Sequence, residues 1–124
     1  MEQKRQALRE KCGVETTIAV VGGKWKPMIL YALLSDPRRF GELTRLIPTI
    51  TQRMLTLQLR ELEADGVIAR EVYQQVPPKV EYSLTPLGLT IEPILSFMQE
   101  WGEHYATTRA TTGEHSSHRR RHEL

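Results

Sequence analysis

An α+β, mainly helical fold is what this sequence predicts, on three observations. Two short amphipathic stretches are joined by Pro48-Thr49-Ile50, a hairpin pattern follows directly, and a long apolar seam lies near the end. Together they predict a winged helix-turn-helix domain with a two-stranded wing and flanking dimerisation helices. With 124 residues and 40% hydrophobic content, the chain suits one domain with a modest core. The expected organisation is an N-terminal arm over 1–13, the winged domain over 14–106 with its dimerisation helix at 86–106, and a disordered basic tail over 107–124.

The elements follow in order. Residues 1–13 are charged and lack a continuous apolar face, hence the arm. Val14, Ile18 and Val21 recur at i, i+4 and i+7, a short helix that Gly22-Gly23 ends. Trp25, Ile29, Ala32 and Leu33 give the second helix a buried stripe, with Trp25 expected in the core and Pro27 tolerated in the first turn. Ser35-Asp36-Pro37 turns the chain. Phe40, Leu43 and Ile47 are spaced for a third helix, which Pro48 stops. Thr51 then caps a fourth, running to about Ala64 with Leu55, Leu59 and Leu62 inward and Asp65-Gly66 as its stop. From Val67 to Tyr73 and from Val80 to Leu84 the period changes to two, giving strands joined by Gln74-Gln75-Val76-Pro77-Pro78. Thr85-Pro86 starts the last helix, where Leu87, Ile91, Ile94, Met98, Trp101 and Tyr105 form a heptad-like seam.

Charge directs attention to the middle of the chain. Seventeen Lys and Arg against fifteen Asp and Glu leave only +2, so a nucleic-acid surface must come from clustering. Between Arg38 and Arg60 lie Arg38, Arg39, Arg45, Arg53 and Arg60 and a single acid, Glu42. With the leucines of the fourth helix turned inward, Gln52, Arg53 and Thr56 are expected to meet base edges of double-stranded DNA. Lys24, Thr51 and Arg60 suit its phosphates, as do Gln74, Gln75 and Lys79 on a proline-stiffened wing. Glu81 is expected to bridge an arginine such as Arg39. A solvated polar face, or a winged-helix module that binds protein, are the competing readings of the same residues. A third is control by a small-molecule effector in an apolar pocket between dimer helices.

Other classes find little support. No paired carboxylates, nucleophile-histidine arrangement or glycine-rich loop after a strand can be argued, so no enzyme and no cofactor are expected. Gly22-Gly23-Lys24 lacks the spacing of a phosphate loop. Of His104, His115, His118 and His122, the last three fall in the expected disordered tail without ligand-type spacing, and no metal is expected. Apolar runs fall far short of the roughly 20 residues of a membrane span, and MEQKRQALREKCG is too polar for a signal peptide, so a cytoplasmic protein is expected. One cysteine, Cys12, excludes an internal disulfide.

Several blocks, in order, carry a family resemblance: Gly22-Gly23-Lys24-Trp25, Arg39-Phe40-Gly41-Glu42-Leu43, Ile50-Thr51-Gln52-Arg53-Met54-Leu55-Thr56, Leu59-Arg60-Glu61-Leu62-Glu63-Ala64-Asp65-Gly66, Val76-Pro77-Pro78 through Leu87-Gly88, and Trp101-Gly102. Over about residues 12–102 the chain resembles the HxlR-type winged-helix transcription regulators, a branch of the MarR-like group. The resemblance implies a homodimer on operator DNA, with the fourth helix in the major groove and the outer helices at the dimer interface; Val14, Ile18 and the C-terminal seam are the residues for it here. It also makes Cys12 a candidate redox sensor, since several members carry a sensing cysteine here, commonly followed by Pro where this chain has Gly13. Lys11 and Arg9 nearby would favour a thiolate. The plainer alternative for Cys12 is a small residue at a helix start.

Overall fold

The computed structural model describes residues 12–111, so the arm before Cys12 and the tail after Thr111 lie outside the described residues. In chain order the elements are α1 (Gly13–Val21), α2 (Lys26–Ala32), α3 (Phe40–Leu46), α4 (Gln52–Ala64), β1 (Ile68–Tyr73), β2 (Lys79–Leu84), α5 (Pro86–Leu89) and α6 (Glu92–Thr111). Two compact units divide the chain, Met1–Glu92 and Pro93–Leu124.

Local chemistry sets the ends of α4. Thr51 Oγ1 accepts from the Met54 amide at 3.0 Å, satisfying one of the amides that a helix start leaves unpaired. At the other end Gly66 takes φ +81°, where a Cβ would be strained, and two amides turn back. Gly66 N–H donates to Glu63 O at 3.0 Å and Val67 N–H to Leu62 O at 3.1 Å, the paired bonds of a Schellman stop. Before α3, the Glu42 carboxylate accepts from the Arg39 amide at 2.7 Å and fixes where that helix begins.

Inward residues of α2, α3 and α4 meet in one core. Ile29, Leu30, Leu43, Leu55, Leu59, Leu62 and Ile68 are fully buried, and Val21, Leu33, Ile47, Ile50 and Val67 close it. Each large side chain contributes about 1.5–3 kcal/mol by leaving water. Lys26 reaches Glu61 at 2.7 Å and ties α2 to α4.

β1 and β2 pair antiparallel from Ile68 opposite Leu84 to Tyr73 opposite Lys79. A short third rung, absent from the expectations, braces them. Arg38 and Tyr82 exchange backbone bonds of 2.9 and 2.8 Å, so the segment before α3 pairs with β2. The Arg38 side chain is committed as well, its Nε donating to Ala32 O at 3.1 Å. Thr85 secures the hairpin's base: its hydroxyl donates to Gly66 O at 2.7 Å while accepting from the Gly88 amide at 2.9 Å. Gly88 lies so close to the Val67 carbonyl that a Cβ there would collide with it.

Four expectations need correction. The helix expected over 86–106 is interrupted at Thr90 and Ile91: α5 ends at Leu89, and α6 starts at Glu92 and runs on to Thr111. Pro93 explains the break, because it has no N–H for the Leu89 carbonyl and its ring would clash with that oxygen in a continuous helix. Residues 107–111, expected in the disordered tail, are therefore helical. Trp25 caps α2, half-buried, with the Lys24 ammonium 4.6 Å from its ring. Glu81 pairs with Lys79 at 3.4 Å, not with Arg39, because alternate residues of one strand share a face.

Candidate nucleic-acid interface

α3, the turn from Ile47 to Thr51 and α4 form the helix-turn-helix, and the hairpin follows from α4 through the Gly66 stop. At about 100° per residue, Arg53, Leu57, Arg60 and Ala64 fall opposite the buried Leu55, Leu59 and Leu62. Gln52, Arg53 and Arg60 are exposed, as the sequence predicts. Among the described residues neither Arg53 nor Arg60 has an ion-pair partner, so both guanidinium groups stand ready for an anion. Thr56 is different. It sits half-buried on the side toward the hairpin, and its hydroxyl donates to Gln52 O at 2.9 Å, the local back-bond of a helical threonine. Its oxygen retains an accepting position and its methyl remains.

At the entrance of α4, Gln52 and Arg53 are the first two helical residues, with amides that have no carbonyl behind them in the helix. Those amides and the helix dipole favour a phosphate beside Thr51. Between α4 and the hairpin lies a hollow of about 300 Å³ lined by Thr56, Leu59, Arg60, Glu63, Arg70 and Tyr82. Its two arginines against one carboxylate leave that side of the interface positive. It lies within one chain and is polar, unlike the apolar pocket between dimer helices considered as an alternative.

The wing presents Gln74, Gln75 and Val76 beyond the last strand pair, all exposed. Val76 is 99% exposed there. Lys79 belongs to β2 rather than to the tip. Its ammonium lies 5.0 Å from the Tyr73 ring and 3.4 Å from Glu81, so a phosphate would have to draw it from these neighbours. The carboxylate of Glu71 foremost, then loss of solvent and Glu81, holds the Tyr73 phenol above its ordinary range. Lys24, at the start of α2, is exposed.

Two helices carry apolar rows open to solvent. On α1 these are Val14 and Ile18; on α6 they are Ile94, Phe97, Met98, Trp101 and Tyr105, with Trp101 stacked on Tyr105 at 5.3 Å. Phe97 was missing from the expected seam, although it lies one turn before Trp101. Leu87 is exposed on α5 and Ile91 is half-buried in the interruption. Cys12 is an exposed thiol at the N-cap of α1, its amide donating to Glu15 Oε1 at 3.4 Å. Among the described residues no helix is long and apolar enough to cross a membrane.

Comparison with known proteins agrees with this architecture. The model of the HxlR-like helix-turn-helix family matches residues 20–110. The HTH-type transcriptional regulator YdeP of Bacillus subtilis is 64% identical over 96 residues, which cover 77% of this chain and 75% of that one. The solved structure of the redox regulator HypR in its oxidised form superposes with a TM-score of 0.73 at 62% identity, covering 75% of this chain and 96% of that one. A MarR-family structure from Porphyromonas gingivalis W83 gives a TM-score of 0.72 at 39% identity, covering 76% and 92%.

Proposed function

The chain belongs to the HxlR-like helix-turn-helix family of transcriptional regulators, and from that premise we propose that it binds operator DNA as a homodimer. The observation that carries the reading is the capped N-terminus of α4, where Thr51, Gln52 and Arg53 are exposed and Arg53 lies opposite the leucine core. α4 enters the major groove, Gln52 and Arg53 bond base edges, and Thr56 offers its methyl group. Thr51, Arg60 and Lys24 fix register on phosphates, with Gln74, Gln75 and Lys79 following the backbone from the wing.

Self-association is supported by the apolar rows on α1 and α6, since uncovered Phe97 and Trp101, 68% and 65% exposed, are costly in water. A two-fold pair of α4 helices reads a pseudo-palindrome with half-sites about 10 bp apart. A gel shift against genomic fragments, followed by footprinting, tests both parts: a salt-sensitive, competitor-resistant shift over a symmetric site is expected. A short asymmetric footprint would argue against the dimer on DNA. Trp101→Glu is expected to lower the mass measured by sedimentation to that of one chain, and an unchanged mass would remove α6 from the interface.

A second reading concerns Cys12. The exposed thiol, together with the redox regulator among the structural relatives, supports control of DNA binding by oxidation. As the only cysteine of the sequence, it forms a disulfide only with a thiol of another molecule. Diamide should change the operator affinity of the wild type and leave Cys12→Ser unaffected. Equal responses would end this reading.

A further inference from the structure

The outward line of α4 contains one large apolar residue. Leu57, 46% exposed, follows Arg53 by four positions and precedes Arg60 by three. Those separations put both arginines beside it on the helix surface. Leu55, Leu59 and Leu62 fill the core side, and Leu57 is not among the buried residues of this helix. A leucine at that place spends exposed apolar area on the face that the proposed function turns into the major groove. The groove offers one apolar group to match it, the C5-methyl of thymine, which no other base carries.

Resting on the DNA-binding reading above, we propose that Leu57 is a specificity-determining residue that selects thymine by packing against its C5-methyl, between the bases reached by Arg53 and the phosphates reached by Arg60. The sequence preference then has two chemistries side by side: hydrogen bonds from Gln52 and Arg53, and exclusion of water from a methyl group by Leu57. Cytosine at the same position presents an amino group that Leu57 strips of water without pairing it, so the leucine also acts against that base.

Uracil tests this directly, since dU keeps every hydrogen-bonding group of dT and lacks only the methyl. Operator duplexes are selected from random DNA with the full chain, and single dT positions are replaced by dU. For the wild type, one position per half-site is expected to lose about fourfold in affinity on replacement, the equivalent of one buried methyl. Leu57→Ala should bind the dT and dU operators equally. Because Leu57 is exposed, that variant should unfold at the wild-type urea midpoint, and Leu57→Gln should move the preference at that position from T toward A. A flat dU scan with the wild type, or a dU penalty that survives Leu57→Ala, would overturn the assignment while leaving DNA binding intact. Selection that enriched no sequence would instead overturn the DNA reading, and this one with it.

Discussion

Replacing Thr85 with Val tests how the wing is joined to the recognition helix. Valine keeps the shape and β-branching and removes the hydroxyl that accepts from Gly88 N–H at 2.9 Å and donates to Gly66 O at 2.7 Å. Losing an N-cap costs about 1 kcal/mol. The second bond, to the carbonyl of the exposed Gly66, is lost as well and takes with it the net contribution of an ordinary hydrogen bond, about 1 kcal/mol. A total near 2 kcal/mol corresponds, at a urea dependence of about 2 kcal/mol per molar, to a midpoint lowered by about 1 M. Urea unfolding followed by circular dichroism, at one fixed protein concentration so that self-association does not differ between samples, measures it. Thr85→Ser restores the hydroxyl and should recover most of the loss. A Val midpoint within about 0.3 M of wild type would refute the reasoning, because the two bonds would then contribute nothing beyond the backbone bond from Thr85 N–H to Val67 O.

Arg53→Ala should weaken cognate DNA by about 1–3 kcal/mol and relax selection at one base pair, read by competition gel shifts; an equal loss on random DNA would make Arg53 a phosphate contact. Arg60→Ala should reduce the slope of log K against log salt by about 1, and an unchanged slope in a salt titration would take Arg60 off the backbone. Gly88→Ala should destabilise by about 1–3 kcal/mol in the same urea assay, because its Cβ meets the Val67 carbonyl; wild-type stability would mean that α5 shifts at no cost.

Much of this arrangement was legible in the residues. Thr51 and Thr85 identified themselves as caps because a hydroxyl before a helical pattern has one local use, and Gly66 because a stop at positive φ favours glycine. Period alone separated α4 from the hairpin. The Arg38–Tyr82 rung left no trace, since a single pairing residue after Pro37 has no periodicity to detect. Pro93 was readable and was overridden by a 4, 3, 4 spacing that continues across a broken helix. Leu57 is also readable on a helical wheel, as a large apolar side chain on an otherwise polar outer face. Lys79 required coordinates: whether an ammonium points to solvent or lies against Tyr73 and Glu81 is a matter of rotamer, not of pattern. For the same reason the back-bond of the Thr56 hydroxyl to Gln52 O, which leaves the methyl group as its outward chemistry, required coordinates.

The Arg38–Tyr82 rung also governs where the hairpin is able to bend. At Tyr82, β2 is held on both edges, by β1 and by Arg38. Outward of it remain the pairs Glu71–Glu81, Val72–Val80 and Tyr73–Lys79, a lever of about 10 Å at the usual rise per residue. Bending of the hairpin is thus expected to begin at Tyr82, which also lines the hollow beside α4. A hairpin that bends there carries its tip through an arc about Tyr82, so the tip's reach is set by the three outer strand pairs and not by the loop's own slack.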